Sequence, residues 1–288
     1  LEAKGGTTMH DVLEDMRIDL EMRGLRENTV ITYLRYARQF VNEVGKPLEE
    51  VQRDDVRRYL LTLRRPPTRN VALCALRFLF CATLDRPELV RGIRRARTQP
   101  TVPVILSGSE MAELLASLRS VTYRAMVATL YGTGLRVSEM CALRIEDIDS
   151  RRMQLRIPDA KTGQRYARLT PAVLKELRAY YRQRRPKGPY LFPGRGTGRP
   201  ITRVAVAKAL ATVSEELGLR KRVHPHLLRH AFAVHLLELG ADLRRVQLLL
   251  GHRCIHSTVR YLHLSRAQLA RAPSPIDLIG SPAARVLD

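Results

Sequence analysis

The chain has 288 residues, 45% of them hydrophobic, enough for one large core or two modest ones, and two are expected. No apolar run approaches the roughly 18 residues of a membrane-spanning helix, so a transmembrane protein is excluded. The 50 Lys and Arg against 28 Asp and Glu leave a net charge of +22, a self-repulsion that a polyanion relieves. Nucleic acid is the commonest polyanion, and no lipidation signal or basic amphipathic anchor argues for a membrane surface instead.

In chain order, residues 1–8 lack a basic stretch followed by an apolar one, so no secretory signal is expected. Cys74, Cys81, Cys141 and Cys254 have neither the paired spacing of a zinc site nor the density of a disulfide scaffold, and a reducing cytoplasm is expected. Residues 9–85 read as helical throughout, over 10–23, 28–44, 53–63 and 68–84. Gly24, then Gly45, Lys46 and Pro47, then Pro66 and Pro67 separate them. Within the second, Val30, Tyr33, Leu34, Ala37 and Val41 form an apolar stripe that needs partner helices. A DNA-clasping four-helix module and an ordinary bundle fit this pattern equally. Residues 86–103, rich in Pro and Arg and without a sustained period, read as an exposed basic linker, with a domain boundary near residue 100.

The second part opens with Ser107 and Glu110 in capping-box spacing, which predicts a helix over 109–119. A helical run over 121–131 ends at Gly132, Thr133 and Gly134, and Arg136 begins a short segment reaching Leu143. Met153, Leu155 and Ile157 alternate onto one face, residues 158–163 interrupt, and residues 166–169 resume, so a hairpin or three-stranded sheet is expected over 152–169 with Lys161 at its tip. Helices follow at 171–182, 202–217, 225–239 and 242–250. Gly194, Gly196 and Gly198 mark a flexible loop too irregular for a Walker or Rossmann phosphate cradle.

The densest polar cluster is His224, Pro225, His226, Leu227, Leu228, Arg229 and His230 at a helix start. His226 and Arg229 share a face in what the pattern makes the first turn, where free amides and the helix dipole favour an anion such as phosphate. The other reading has the histidines capping the helix and Arg229 solvated. Metal binding by His224, His226, His230 and His235 is disfavoured, since no carboxylate or thiol stands among them. His252 follows Leu250 and Gly251 at a helix end, and Tyr261 comes nine residues later. Taken singly, Tyr261 fits an amphipathic core and Arg136 is one arginine among many.

Taken together, the run from Tyr131 through Gly132, Thr133, Gly134, Leu135, Arg136, Val137 and Ser138 to Glu139, the run from His226 to His230, the run from Leu249 to His252, and Tyr261 resemble the tyrosine recombinase (phage integrase) family in order and spacing over 107–264. The resemblance implies a mainly α fold: a helical SAM-like core-binding domain at 9–90, a basic linker at 91–103, and a mixed α/β catalytic domain with a small antiparallel sheet at 104–270. A tail at 271–288, carrying Ile276, Leu278, Ile279 and Leu287, reads by composition as disordered or folded back in cis, whereas the resemblance implies docking on a neighbouring protomer.

The same resemblance implies roles residue by residue. Arg136 and Arg229 would clamp the scissile phosphate, a role suited to planar forks that bond non-bridging oxygens. Tyr261 would attack phosphorus to form a 3'-phosphotyrosyl bond, His226 would act as general base or hydrogen-bond donor, and His252 would donate to the phosphoryl oxygens. Glu139 would orient its neighbours. Lys161, the only lysine between Lys46 and Lys175, would protonate the 5'-oxygen, which arginine does poorly. Ile145 stands where the family often has tryptophan, and the hairpin reads Asp159, Ala160, Lys161, Thr162, Gly163 rather than a Gly-Lys-Gly form. No cofactor or metal is implied. The implied partners are double-stranded DNA with inverted half-sites, a second protomer on one site and a homotetramer in the synapse, with or without a second recombinase, and no membrane. The implied localisation is cytoplasmic, at the nucleoid. The rival readings are a type IB topoisomerase-like enzyme and a catalytically silent DNA-binding accessory protein.

Overall fold

A computed structural model of the chain describes residues 9–98, 104–157, 164–196, 198–259 and 261–262. The chain divides into two compact units, parted between Thr101 and Val102. No helix among the described residues is long and apolar enough to cross a membrane.

The first unit is helical. Helices α1 (Met9–Met22), α2 (Glu27–Val44), α3 (Arg53–Thr62) and α4 (Pro66–Phe78) surround one core. Gly45 ends α2 in the left-handed region at φ 64°, its N–H bonded to the Val41 carbonyl, a conformation that costs glycine nothing. Of the expected stripe, Val30, Ala37 and Val41 are buried, with Tyr33 and Leu34 partly so. Phe40 lies at the centre, edge-on to Tyr59 at 5.2 Å and to Phe80 at 5.7 Å.

Three expectations are corrected here. Pro66 and Pro67 do not separate helices but form the first turn of α4, where the missing N–H has no intrahelical partner to lose and the fixed φ favours the helix. After Phe78 the chain widens into a π-type turn over Leu79–Thr83 rather than continuing as α-helix to 84. Nor is the start of the basic stretch exposed. Leu89 and Val90 are buried, and Arg86 donates to the carbonyls of Leu48 and Val51. Asn70 exchanges two hydrogen bonds with the backbone of Ala96, holding this stretch against α4.

The second unit begins with α5 (Gly108–Ser117), capped as expected: Ser107 Oγ accepts the Glu110 N–H, and Glu110 accepts the Ser107 N–H at 2.7 Å. Next come α6 (Val121–Thr133) and α7 (Val137–Ala142). Gly132 lies inside α6 rather than beyond it, pressed so closely on Val173 that a Cβ there would collide with that side chain. The sheet is antiparallel in the order β1 (Ile148–Asp149), β2 (Gln154–Ile157), β3 (Arg165–Arg168), with Leu155 paired to Ile148 on one side and Ala167 on the other. β1 falls ahead of the expected segment. Met153 sits at φ 54° in the β1–β2 turn and not on the strand face with Leu155 and Ile157.

The remaining elements are α8 (Pro171–Arg184), α9 (Arg203–Glu216), α10 (Pro225–Glu238), α11 (Leu243–Leu250) and α12 (His256–Val259). The main core gathers α5 to α10 and the sheet, including Leu130, Leu155, Phe192 and Leu228. A smaller cluster joins Ala233, Val234 and Leu237 of α10 to Val246 and Leu250 of α11 and to Tyr261. That smaller cluster carries the site.

Candidate active site

Gly134 ends α6 in the left-handed region at φ 64°, packed so tightly that a Cβ would collide with the Phe232 ring. The turn this allows puts Arg136 at the N-cap of α7 and Glu139 one turn in. Glu139 accepts the Arg136 N–H at 2.8 Å and the Arg136 guanidinium at 2.6 Å. A third donor comes from the sheet: Arg165 of β3 reaches the same carboxylate at 2.9 Å and the Leu249 carbonyl at 3.2 Å. Its Nε is buried with no hydrogen-bond partner among the described residues. Burial by itself would raise the pKa of Glu139, but the Arg136 N–H and the charges of Arg165 and Arg136 outweigh it and hold the carboxyl below its ordinary range.

Arg229 is 2% exposed. It is the fifth residue of α10, just past the first turn in which the sequence reading put it, and it does not use the helix N-terminus. Its guanidinium donates instead to the Gly134 carbonyl at 2.5 Å and the Leu250 carbonyl at 2.7 Å. These carbonyls close α6 and α11, so two negative helix ends meet one cation. The reading in which Arg229 is solvated is therefore overturned, although His224 does cap α10, its side chain accepting the Leu227 N–H at 3.2 Å. Burial, and then repulsion from Arg136, bring the pKa of Arg229 down to about 10, while Glu139 and the Tyr261 oxygen act in the opposite direction. The charges of Arg136, Glu139, Arg165 and Tyr261 thus all act on Arg229.

Tyr261 is also 2% exposed. Its hydroxyl lies 2.9 Å from Nδ1 of His230, itself 8% exposed. The His252 ring stacks on the Tyr261 ring at 6.3 Å and 13°. His252 is held by Thr258, 2.8 Å from its Nδ1, and by Gln247, which donates to its carbonyl at 2.9 Å and accepts its N–H at 3.1 Å. His226 is exposed, one turn before His230 on α10, with the rings 4.7 Å apart and edge-on.

The fold therefore gathers Arg136, Glu139, Arg229, His226, His252 and Tyr261 from four separate stretches of chain. Lys161 lies outside the described residues, as do 271–288. Sequence reasoning assigned no part to Arg165, His230, Gln247 or Thr258. His230 stood in the quoted motif, and Gln247 was legible as a polar residue between Val246 and Leu250 on a buried face. Arg165 carried no signal in an arginine-rich chain. Among the described residues no three His, Cys, Asp or Glu side chains are grouped to hold a metal ion. The arrangement offers two guanidiniums for an anion beside a phenol whose proton has an imidazole within reach.

Residues 105–268 match the model of the phage integrase family, and residues 12–88 match that of the phage integrase N-terminal SAM-like domain. The chain is 40% identical over 283 residues to the putative integrase/recombinase y4qK of Sinorhizobium fredii, covering 96% of this chain and 91% of that protein. It is 32% identical over 282 residues to the tyrosine recombinase XerA of Pyrococcus furiosus, covering 95% and 96%. In fold it is similar to a lambda integrase dimer bound to a COC' core site, with TM-score 0.71 and 19% identity over 93% of this chain and 79% of that one.

Proposed function

The chain belongs to the phage integrase family of tyrosine recombinases, and on that premise we propose that it cuts and rejoins duplex DNA at a specific site through a covalent bond between Tyr261 and a 3'-phosphate. The observation that carries this reading is the buried Arg229 beside Tyr261. A cation taken out of water near Arg136 and Arg165 is costly, and a phosphodiester anion held between Arg136 and Arg229 relieves that cost.

With the phosphate held by these two forks, the Tyr261 oxygen attacks phosphorus and the 5'-oxygen leaves, taking its proton from Lys161. His226 and His252 hydrogen-bond the phosphoryl oxygens as their charge grows. Glu139 fixes Arg136. The energy of the broken bond is kept in the phosphotyrosyl ester, so rejoining needs neither ATP nor a metal ion. Attack by the 5'-hydroxyl of a second duplex reverses the step and exchanges strands.

Two protomers bind inverted half-sites, as the dimeric assembly named for the lambda integrase structure supports. Two such dimers pass through a Holliday junction, each protomer lending its tail at 271–288 to a neighbour. The helical domain at 9–90, the basic linker at 91–103 and the catalytic domain at 104–270 each contribute contacts to the duplex. The reaction integrates, excises or resolves mobile or circular DNA in the cytoplasm.

The test is incubation of wild-type protein and Tyr261→Phe with a nicked, randomised duplex library, without metal or ATP, followed by denaturation and sequencing of attached DNA. Attached DNA sharing a half-site, present with wild type and absent with Tyr261→Phe, is expected. Adducts without consensus would replace the reading with topoisomerase-like relaxation. DNA binding without any adduct would reduce the chain to an accessory protein.

A further inference from the structure

Resting on the reading above, which makes Tyr261 the nucleophile, we infer that His230 is the group that takes the phenol proton during cleavage and returns it during rejoining. The Tyr261 hydroxyl stands 2.9 Å from His230 Nδ1, both residues being buried. Among the described residues, the titratable and charged groups that face the pair include His226, edge-on to His230, His252, stacked on the Tyr261 ring, and Arg229, whose charge acts on the Tyr261 oxygen.

The chemistry requires such a group. A phenol with an ordinary pKa near 10 is ionised to only about one part in a thousand at pH 7, whereas an imidazole with an ordinary pKa near 6.5 is mostly able to accept a proton there. In cleavage the Tyr261 O–H bond breaks as the O–P bond forms, its proton passing to Nδ1 to give an imidazolium. The P–O5' bond breaks at the same time, its oxygen taking the Lys161 proton to leave a 5'-hydroxyl. In rejoining the 5'-hydroxyl attacks phosphorus and returns its proton to Lys161 as the P–O5' bond re-forms, while the phenol oxygen departs and recovers its proton from His230, so the pair ends as it began. The histidines thereby divide the chemistry between them, His230 serving the nucleophile and the exposed His226 serving the phosphate.

His230→Gln separates proton transfer from positioning, because the amide oxygen still accepts the hydroxyl hydrogen bond but takes no proton near neutrality. Adduct formation on nicked duplex is timed across pH for wild type, His230→Gln and His226→Gln, each carrying either tyrosine or a fluorinated tyrosine of lower pKa at position 261. We expect His230→Gln to bind DNA normally, to lose about 10²–10⁴-fold in cleavage at pH 7, and to recover as pH rises or as fluorine acidifies the phenol. His226→Gln should show neither recovery. A His230→Gln rate within about threefold of wild type, or a slow rate indifferent to pH and fluorination, would overturn the inference. Failure of the underlying reading looks different, since wild type itself would then form no adduct.

Discussion

Among the described residues, the unit built from α1 to α4 buries one charged side chain, Asp55, whereas the unit from α5 to α12 buries Glu139, Asp147, Arg229 and His230 beside Gln247 and Thr258. Asp55 serves its own neighbourhood: it accepts the Gln52 N–H at the start of α3 and pairs with Lys46 and Arg58 at the surface. In the second unit Asp147 likewise accepts the Arg144 N–H and pairs with Arg156, but Arg229, His230 and Glu139 bind segments far apart in sequence, as where Arg229 joins Gly134 to Leu250. The first kind of burial is replaceable by apolar volume, since Coulomb attraction in the interior seldom exceeds the desolvation it must offset. The second kind is kept where the charge acts on something that enters.

The largest expected effect comes from Arg229→Ala, which breaks this contrast at its centre. It leaves two helix-end carbonyls without their donor and, on the proposed function, removes one phosphate fork. Cleavage of nicked duplex should fall by at least about 10³-fold and stability by about 3–5 kcal/mol, read by single-turnover adduct assays and denaturant unfolding. A variant that unfolds no sooner than wild type would contradict the carbonyl clasp.

Phe40→Ala probes the opposite region. Removing a ring packed on Tyr59 and Phe80 should cost about 3–5 kcal/mol, seen as faster hydrogen exchange of α2 and α3 amides, while cleavage at saturating DNA stays within about threefold of wild type. Loss of cleavage on the scale of Arg229→Ala would blur the division of labour between the units.

Glu139→Gln sharpens it. Glu139 is held below its ordinary carboxylate range: burial works against this, but the Arg136 N–H and the Arg165 and Arg136 charges prevail. Folding therefore favours the ionised form. Its contribution is complete above the unfolded value of about 4.3 and is lost as pH falls through the lower folded value. The substitution should remove about 1.5–3 kcal/mol at pH 7 and flatten the acid limb of the stability curve, and an unchanged limb would assign that slope to other carboxylates.

Much of this was legible from the chain alone, for local reasons. Ser107 and Glu110 cap α5 because a hydroxyl and a carboxylate three residues apart meet the first-turn amides whatever lies around them. The stripe on α2 and the start of α10 at Pro225 follow from periodicity and from the lost N–H of proline. The two-residue strand β1 was not legible, because its pairing with Leu155 depends on a turn at Met153 that carries no glycine or asparagine to announce it. Leu89 and Val90 were read as linker since the charges around them outnumber them, yet α3 and the Leu79–Thr83 turn supply the surface, and Arg86 the hydrogen bonds, that hold this stretch in the core.

The site divides along the same line. The order of Arg136, Glu139, His226, Arg229, His252 and Tyr261 is fixed by sequence, and so is the residue type that the proposed phosphate chemistry needs at each place. Spacing along a helix dictates that Glu139 meets the Arg136 N–H one turn away. Only the packing of α6, α10 and α11 decides that Arg229 is sealed against two carbonyls, that Arg165 arrives from the sheet, and that His230 rather than another imidazole stands 2.9 Å from the Tyr261 hydroxyl. A hydrogen bond within one turn is set by the chain's own geometry, whereas one across 31 residues exists only after separate apolar faces have found each other.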